Sequence, residues 1–446
     1  MNKRILLCAA LMAACATSSL AQLTIESIRI SGNRVKESVI RKNLGFKEGD
    51  IWNDDLINTG KKNLFRLKIF KELSMAAKVS PSSSTVTVDI AAKDGWFLLP
   101  IPMTSVQGGE QRFILLLTSQ NICRTAERMT LFNSFKEGGV SSLFIFSNKD
   151  YSLTFGERNT SVTEYAYADG GLSDKTFNKN GASEKPEDFG TVTAEYTQET
   201  AEPLLMAGMS VTDRIKASAG VQSTRVSYRQ GSIGAAPGDN GIMNTLILRL
   251  NAEEIDTIKD ADSVGRMFGL GMAEVKEVIR TGKRDPSVWL WSMQLENSGA
   301  AVSSDFPYTK VSAALARKTV FSWRNALTAS TRMTGGTSLP PSQMPATNQQ
   351  DGLRGYYARE FKGDRVINSY ISYAQPIHMT MTGYFSVESF FDWGVCMTDA
   401  VHHDRTGAGL TVSYRFWRFP LPIGVGYTYS FDDLNWQAVF SIGGRF

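Results

Sequence analysis

Hydrophobic and polar positions change rhythm once along this chain, near residue 96. Before that point, strand-like and helix-like spacings alternate. Thr24 to Ile30 (TIESIRI) predicts a strand from its β-branched content, although its alternation is imperfect. Ile28 and Ile30 share a face with Glu26, and Ile25 falls on the other. Ser31-Gly32-Asn33 breaks the run. Val39, Ile40 and Leu44 then recur at helical spacing within Val35 to Leu44, with Gly45 as the stop. Asn53-Asp54-Asp55 is a capping sequence for a second helix, whose stripe is Leu56, Ile57, Gly60, Leu64 and Leu67. Phe70 to Val79 and Val86 to Ala91 read as strands across a Pro81-Ser82-Ser83-Ser84 turn. The predicted order is β-α-α-β-β in about 70 residues, enough for a small core of its own.

From Trp96 onward the period becomes two. Val412, Tyr414 and Phe416 share a face in one run. Val425, Tyr427, Tyr429 and Phe431 do so in the next, opposite Gly424, Gly426, Thr428 and Ser430. In the last, Trp436, Ala438, Phe440, Ile442 and Phe446 oppose Asn435, Gln437, Ser441 and Arg445. A soluble sandwich buries such an apolar face against a second sheet. A membrane barrel turns it to lipid and fills the lumen with polar groups. The barrel is favoured. Aromatics crowd toward strand ends, as interfacial girdles do. The β-rich region of roughly 350 residues is long for one sandwich, and the chain ends on Phe446. At ~22 residues per strand and loop, that length holds about sixteen strands. Ala252 to Arg280, helix-like around Met272 to Ile279, interrupts the pattern as an extracellular or turn insertion.

The N-terminus adds export. Lys3 and Arg4 precede a short apolar run, Ile5 to Ala14, and Ser19-Leu20-Ala21 offers small residues at a cleavage site before Gln22. The run is too short to span a membrane as a helix, which takes ~20 apolar residues. Cys15 after Met12-Ala13-Ala14 supports a lipoprotein alternative less well, because Leu usually stands three places before the cysteine. The expected organisation is a signal peptide at 1–21, a periplasmic domain at 22–94 and a barrel at 95–446. Of 4 cysteines, Cys8 and Cys15 fall in the signal, leaving Cys123 and Cys396, which form no disulfide scaffold or ligand spacing. A net charge of +4 over 446 residues gives no sign of a nucleic-acid partner.

Four features in order carry a resemblance. The segment with Ile25-x-x-Ile28-x-Ile30-x-Gly32-Asn33, "LFRLKIF" at 64–70 and "VTVDI" at 86–90 resembles a POTRA domain. "DGWFLLPIP", 94–102, resembles the entry into an assembly barrel of the BamA/TamA type. Leu353-Arg354-Gly355-Tyr356 resembles that superfamily's (V/I)RG(F/Y) tip, and Phe390-Phe391-Asp392-Trp393-Gly394 its FxDxG strand motif. The resemblance implies that the tip rides on a long extracellular loop folded back into the lumen, and that the pair matters for barrel integrity and function. Strand parity puts Phe390, Asp392 and Gly394 on one face and Phe391, Trp393 and Val395 on the lipid-like face. A lumen carboxylate needs a partner, and the planar fork of Arg354 offers one. Gly355 allows close approach, and Tyr356 supplies packing. Ser372 occupies the place, four before Pro376, where the family carries an acid. Glu388, on the face of Asp392, is the candidate second acid. Two family patterns are absent: Asn348 to Gly352 replaces a glycine-rich run, and Asn121-Ile122-Cys123-Arg124 replaces an Asn-Leu-x-Gly turn.

The fold expected is mainly β, a C-terminal transmembrane antiparallel barrel of about sixteen strands behind one small β-α-α-β-β POTRA-like domain. The resemblance implies a protein of the outer membrane that assembles, inserts or translocates other outer-membrane proteins. The POTRA edge and a lateral seam between the first strand (Trp96 to Gln107) and the last (Trp436 to Phe446) would do this. Gly443 and Gly444 weaken the seam or are ordinary barrel glycines. Phe440, Ile442 and Phe446 form the C-terminal barrel signal. Partners would be lipid, unfolded clients or one dedicated secreted protein, and accessory periplasmic or lipoprotein subunits. The alternative is a related barrel without insertase activity that secretes or anchors one partner. The 3 histidines include His402-His403, which beside Asp399 and Asp404 reads as a solvated loop, and no Ser-centred motif accompanies them. No enzyme, metal or cofactor is expected. A passive porin would leave the small domain and the RGY loop unexplained.

Overall fold

A computed structural model describes residues 23–442, apart from 175–189, 256–286 and breaks of five residues or fewer. The predicted leader with Cys15, the Pro81 to Ser84 turn, Trp96, Cys123, the helix around Met272 to Ile279, Asn348 to Gly352, Asp399, Gly443, Gly444 and Phe446 lie outside the described residues. The chain divides into two compact units, the second beginning at Leu98.

The first unit has the predicted order. β1 (Thr24–Ser31) is followed by α1 (Glu37–Leu44), α2 (Asp55–Arg66), β2 (Phe70–Ser80) and β3 (Thr85–Asp94). Gly45 ends α1 in the left-handed region at φ 82°, where a side chain would be strained. Asn53 caps α2, its Oδ1 accepting from Asp55 N at 3.0 Å. The sheet order is β1-β3-β2, with β1 parallel and β2 antiparallel to β3. Ile40, Leu44 and Leu64 pack from the helices onto Val86, Val88 and Ile90, all essentially sealed from solvent. Ile25 does not face away from Ile28: both are buried in this core. A register shift between Ile25 and Ser27 rotates the strand by one position, which explains the imperfect alternation.

The second unit comprises β4 (Leu98–Gln107), β5 (Glu110–Gln120), β6 (Arg128–Lys136), β7 (Gly139–Ser147), β8 (Tyr151–Tyr167), a three-residue β9 (Leu172–Asp174) and β10 (Val192–Ser210). It continues with β11 (Ile215–Gln230), β12 (Gly241–Ile255), β13 (Val288–Ser298), β14 (Tyr308–Ser322), β15 (Asn325–Thr337) and β16 (Arg365–Met379). The last four are β17 (Gly383–Met397), β18 (His402–Phe416), β19 (Ile423–Ser430) and β20 (Asn435–Ile442). Neighbours in sequence pair antiparallel, β8 pairs with β10 directly, and β20 pairs with β4. With β9 hung on β8, sixteen of the seventeen strands close a barrel. Ala252 to Ile255 belong to β12, so the expected insertion begins only after them. His402 and His403 stand on β18 rather than in a loop, because pairing with Met397 and Cys396 continues the ladder through both.

The barrel is inside-out relative to a soluble core. On β12, Leu246, Leu248 and Leu250 are exposed outward while Met243, Thr245 and Ile247 are buried inward. The same holds at Leu205, Leu290, Leu315, Phe391 and Tyr427. Such a continuous apolar exterior is a liability in water and suits hydrocarbon. Pairing of β20 with β4 joins the two ends of the sheet, as spanning requires. The lumen carries paired polar groups: Lys310 Nζ on Glu296 at 2.8 Å, Arg249 Nε on Gln294 at 2.7 Å, and the hydroxyls of Thr245 and Tyr308 2.9 Å apart. Among the described residues, no helix is long and apolar enough to cross a membrane.

The first unit generates a direct expectation. Leu64→Ala removes a fully buried side chain from a core with little to spare, at a cost of about 2–5 kcal/mol. Amide hydrogen exchange along β3 will quicken accordingly while exchange in the barrel strands stays unchanged.

Candidate functional site

The segment between β15 and β16 leaves the barrel at the end opposite the start of β4 and turns back into the lumen. Its residues are as buried as a core: Gln343, Thr347, Leu353, Arg354, Tyr356 and Lys362 are all enclosed. A loop of this polarity survives burial only if its groups find partners.

Arg354 and Asp392 provide the first. Asp392 stands mid-strand on β17 with an inward side chain. Arg354 Nε donates to Asp392 Oδ2 at 3.0 Å, and Nη2 to Oδ1 at 2.7 Å. The Arg354 backbone N–H adds a third bond to Oδ2 at 2.9 Å. The exposures, 3% for Arg354 and 0% for Asp392, put this pair beyond water. The guanidinium also stacks on Phe390, 3.4 Å from the ring centre, with Tyr370 at 5.3 Å. Glu388, one turn of the pleat below, brings Oε1 to 3.5 Å from Nη1. The structure thus brings together the loop and strand residues that the sequence singled out. Ser372 is buried opposite Phe390 on β16.

The glycines are vacancies for this assembly. A Cβ on Gly394 would collide with Leu353, and one on Gly409 of β18 with the Phe390 ring. At Gly355 a Cβ would come within 3.3 Å of the Tyr429 carbonyl, so the tip lies flush against β19. Phe391 and Trp393 point outward as expected. Val395 shares their face in an unbroken ladder yet is buried. Phe440 and Ile442 are half-buried on β20.

Several residues escaped sequence reasoning. The Tyr356 hydroxyl does more than pack. It lies 2.6 Å from Asp432 Oδ2 and 2.5 Å from the Thr406 carbonyl, and its proton serves one or the other. Thr406 N–H donates to the same Asp432 oxygen at 2.7 Å. Burial opposes the charge on Asp432, but Tyr356, Thr406 and nearby Arg405 outweigh it and hold the carboxyl below the usual carboxylate range. Lys362 pairs with Glu164 on β8, both buried. These partners lie 76 and 198 residues away, with no local spacing to announce them. Among the described residues no cluster could hold a metal ion.

The two acids differ in what their loss should cost. Asp392→Asn leaves a buried guanidinium without its main counter-charge, worth about 3–5 kcal/mol. Glu388→Gln, at a partly solvated site, should cost below ~1 kcal/mol. On unheated gels, Asp392→Asn should therefore lose the compact barrel form at distinctly lower temperature than wild type, and Glu388→Gln only slightly lower. Wild-type behaviour of Asp392→Asn would contradict the pairing argument.

Comparison with known proteins agrees with this geometry. Residues 23–93 match the POTRA family model, described as a surface antigen variable number repeat. Among curated proteins, none matches the sequence. Among solved structures, BamA from Haemophilus ducreyi lacking POTRA domains 1–3 is similar, with TM-score 0.59 and 12% identity over 95% of this chain and 85% of that one. CdiB from Acinetobacter baumannii gives 0.57 and 12%, over 95% and 74%. CdiB from Escherichia coli gives 0.59 and 9%, over 95% and 76%. The chain is a sixteen-stranded transmembrane barrel behind a single POTRA-type domain, with the fold shared by BamA and CdiB.

Proposed function

We propose that the protein resides in the outer membrane, with its POTRA-type domain in the periplasm, and passes client polypeptides to the barrel for assembly, insertion or translocation. The observation that carries this is the seam. β16 and β17 are joined over most of their length, from Arg365–Met397 to Met379–Tyr384. β20 and β4 are joined, among the described residues, only at Phe440–Val106, Ser441–Ser105 and Ile442–Thr104. β4 ends at Gln107, so no described barrel strand faces Asn435 to Ala438 on that edge. Unpaired strand edges are templates for another strand.

Two prolines support the same reading. The ladder between β4 and β5 runs unbroken from Leu98–Ser119 to Gln107–Glu110, across Pro100 and Pro102. A residue lacking N–H fits an antiparallel ladder only where its nitrogen points to the other edge. That edge is the seam, so β4 offers it no donor at 100 or 102. Among the described residues β19 is also short, with 8 residues against 19 in β10. At ~3.3 Å per residue and a tilt near 40°, eight residues span about 20 Å, less than a typical apolar band of about 25 Å.

In the POTRA-type domain, one edge is already taken. The 49–52 segment lies along β1, with Ile25 N donating to Asp50 O at 3.0 Å and Trp52 N to Leu23 O at 2.7 Å. β2 forms the other edge of the sheet, with Glu72, Ser74, Ala76 and Lys78 exposed, and is the edge for client β-augmentation.

A photo-crosslinker at Val106 or Trp436 tests the reading. Capture of several nascent outer-membrane proteins supports assembly. Capture of one dedicated partner supports the narrower role in secretion or anchoring, which the single POTRA-type unit favours. Capture of none overturns both. Pro102→Thr, which restores a seam donor, should lower capture severalfold while leaving the folded barrel intact on unheated gels.

A further inference from the structure

Of the contacts that the loop of residues 338–364 makes with the barrel wall, three bear on the seam. Lys362 pairs with Glu164 on β8, and its backbone N–H donates to Leu172 O at 3.0 Å. Arg354 pairs with Asp392 on β17. Following the sheet from β17 through β20, across the seam and on to β8 takes eight steps of sixteen, so these two stations stand on opposite walls. The loop is a strap across the lumen with a buried ion pair at each side.

The third station is of another kind. Asp432 lies in the turn between β19 and β20, the turn from which the closing strand starts. Its Oδ2 gathers the Thr406 N–H of β18 and the Tyr356 hydroxyl of the strap, while Phe431 N donates to Thr406 O at 3.0 Å. On one side β20 is held by β19 along its whole length. On the other it has the three seam pairs and, near its start, no described strand. The turn therefore sets where β20 begins, and the turn is tied to the strap.

We propose that Tyr356 and Asp432 are positioning residues that latch the closing hairpin to the seated strap, so that withdrawal of the strap and opening of the seam are one event. This rests on the seam reading above. Mechanically, the strap is seated by Arg354, and Tyr356 follows two residues later. Any displacement that breaks the Arg354 pair pulls the hydroxyl from Asp432. The turn then keeps only the Thr406 bonds, and β20 loses a constraint at its less supported end. The coupling is reciprocal: a strand that pairs with β20 and shifts the turn loosens the strap. Asp432 remains charged through neutral and mildly acidic pH. A depressed carboxyl contributes above its free value and is lost only as pH falls through its lowered one. The latch thus answers to displacement rather than to protons in that range. The groups facing Asp432 are Tyr356, Thr406 and Arg405.

The test uses the full-length chain carrying Cys123→Ser, with a cysteine pair at the facing seam positions Ser105 and Ser441. A second pair at Ser386 and Ser413, within the β17–β18 ladder, serves as control. Oxidation should close both pairs in the otherwise wild-type barrel. Tyr356→Phe and Asp432→Asn should each lower the seam disulfide yield severalfold, leave the control pair unchanged and keep the heat-resistant barrel form. The yields should be flat between pH 8 and pH 6. Undiminished seam closure in folded Asp432→Asn, whose side chain sits on an exposed turn, overturns the latch, as does equal loss at the control pair. The readout needs no client. Variants that open the seam without client capture at Val106 would uphold the latch and defeat the proposed function. Capture with an unaltered seam would do the reverse.

Discussion

A guanidinium and a carboxylate face each other in a space from which water is excluded, and neither could be there alone. Burying one charge without the other costs several kcal/mol, so Arg354 and Asp392 hold each other in place. Everything around them is shaped to that end. Phe390 and Tyr370 present ring faces to the cation. Gly394 leaves room for Leu353, and Gly409 for Phe390. The main-chain N–H of Arg354 is spent on the same carboxylate. A surface loop becomes an internal element because one of its side chains cannot afford to be elsewhere.

A second constraint pulls against this order. A sheet in hydrocarbon must close, since each unpaired backbone group there is costly. Among the described residues, the junction between the first and last barrel strands is joined by three pairs. Prolines remove donors from one side of that junction. Tyr356 ties the strap to the turn that launches β20.

The small domain follows the same economy. Its β1 edge is occupied by its own chain at 49–52, which leaves β2 as the sheet edge available to another strand.

Periodicity alone was enough for the order of elements in the first unit and for the last three strands of the second, and strand parity for the inward aim of Asp392. Both rest on local backbone geometry, in which neighbouring side chains must alternate on a strand or recur every three to four residues on a helix. Where parity failed, the cause was not local. Ile25 joins the core because a bulge between it and Ser27 absorbs one residue. Val395 keeps its parity and is buried all the same. His402 and His403 look like loop residues by composition and are strand residues by pairing. The partners of Tyr356 and Lys362 were beyond reach for the same reason. Nothing in the residues near Asp432 or Glu164 distinguishes them from other acids on turns and strands. Only closure of the barrel, which sets β8 opposite β17 and brings the β19–β20 turn to the loop tip, decides which charges meet.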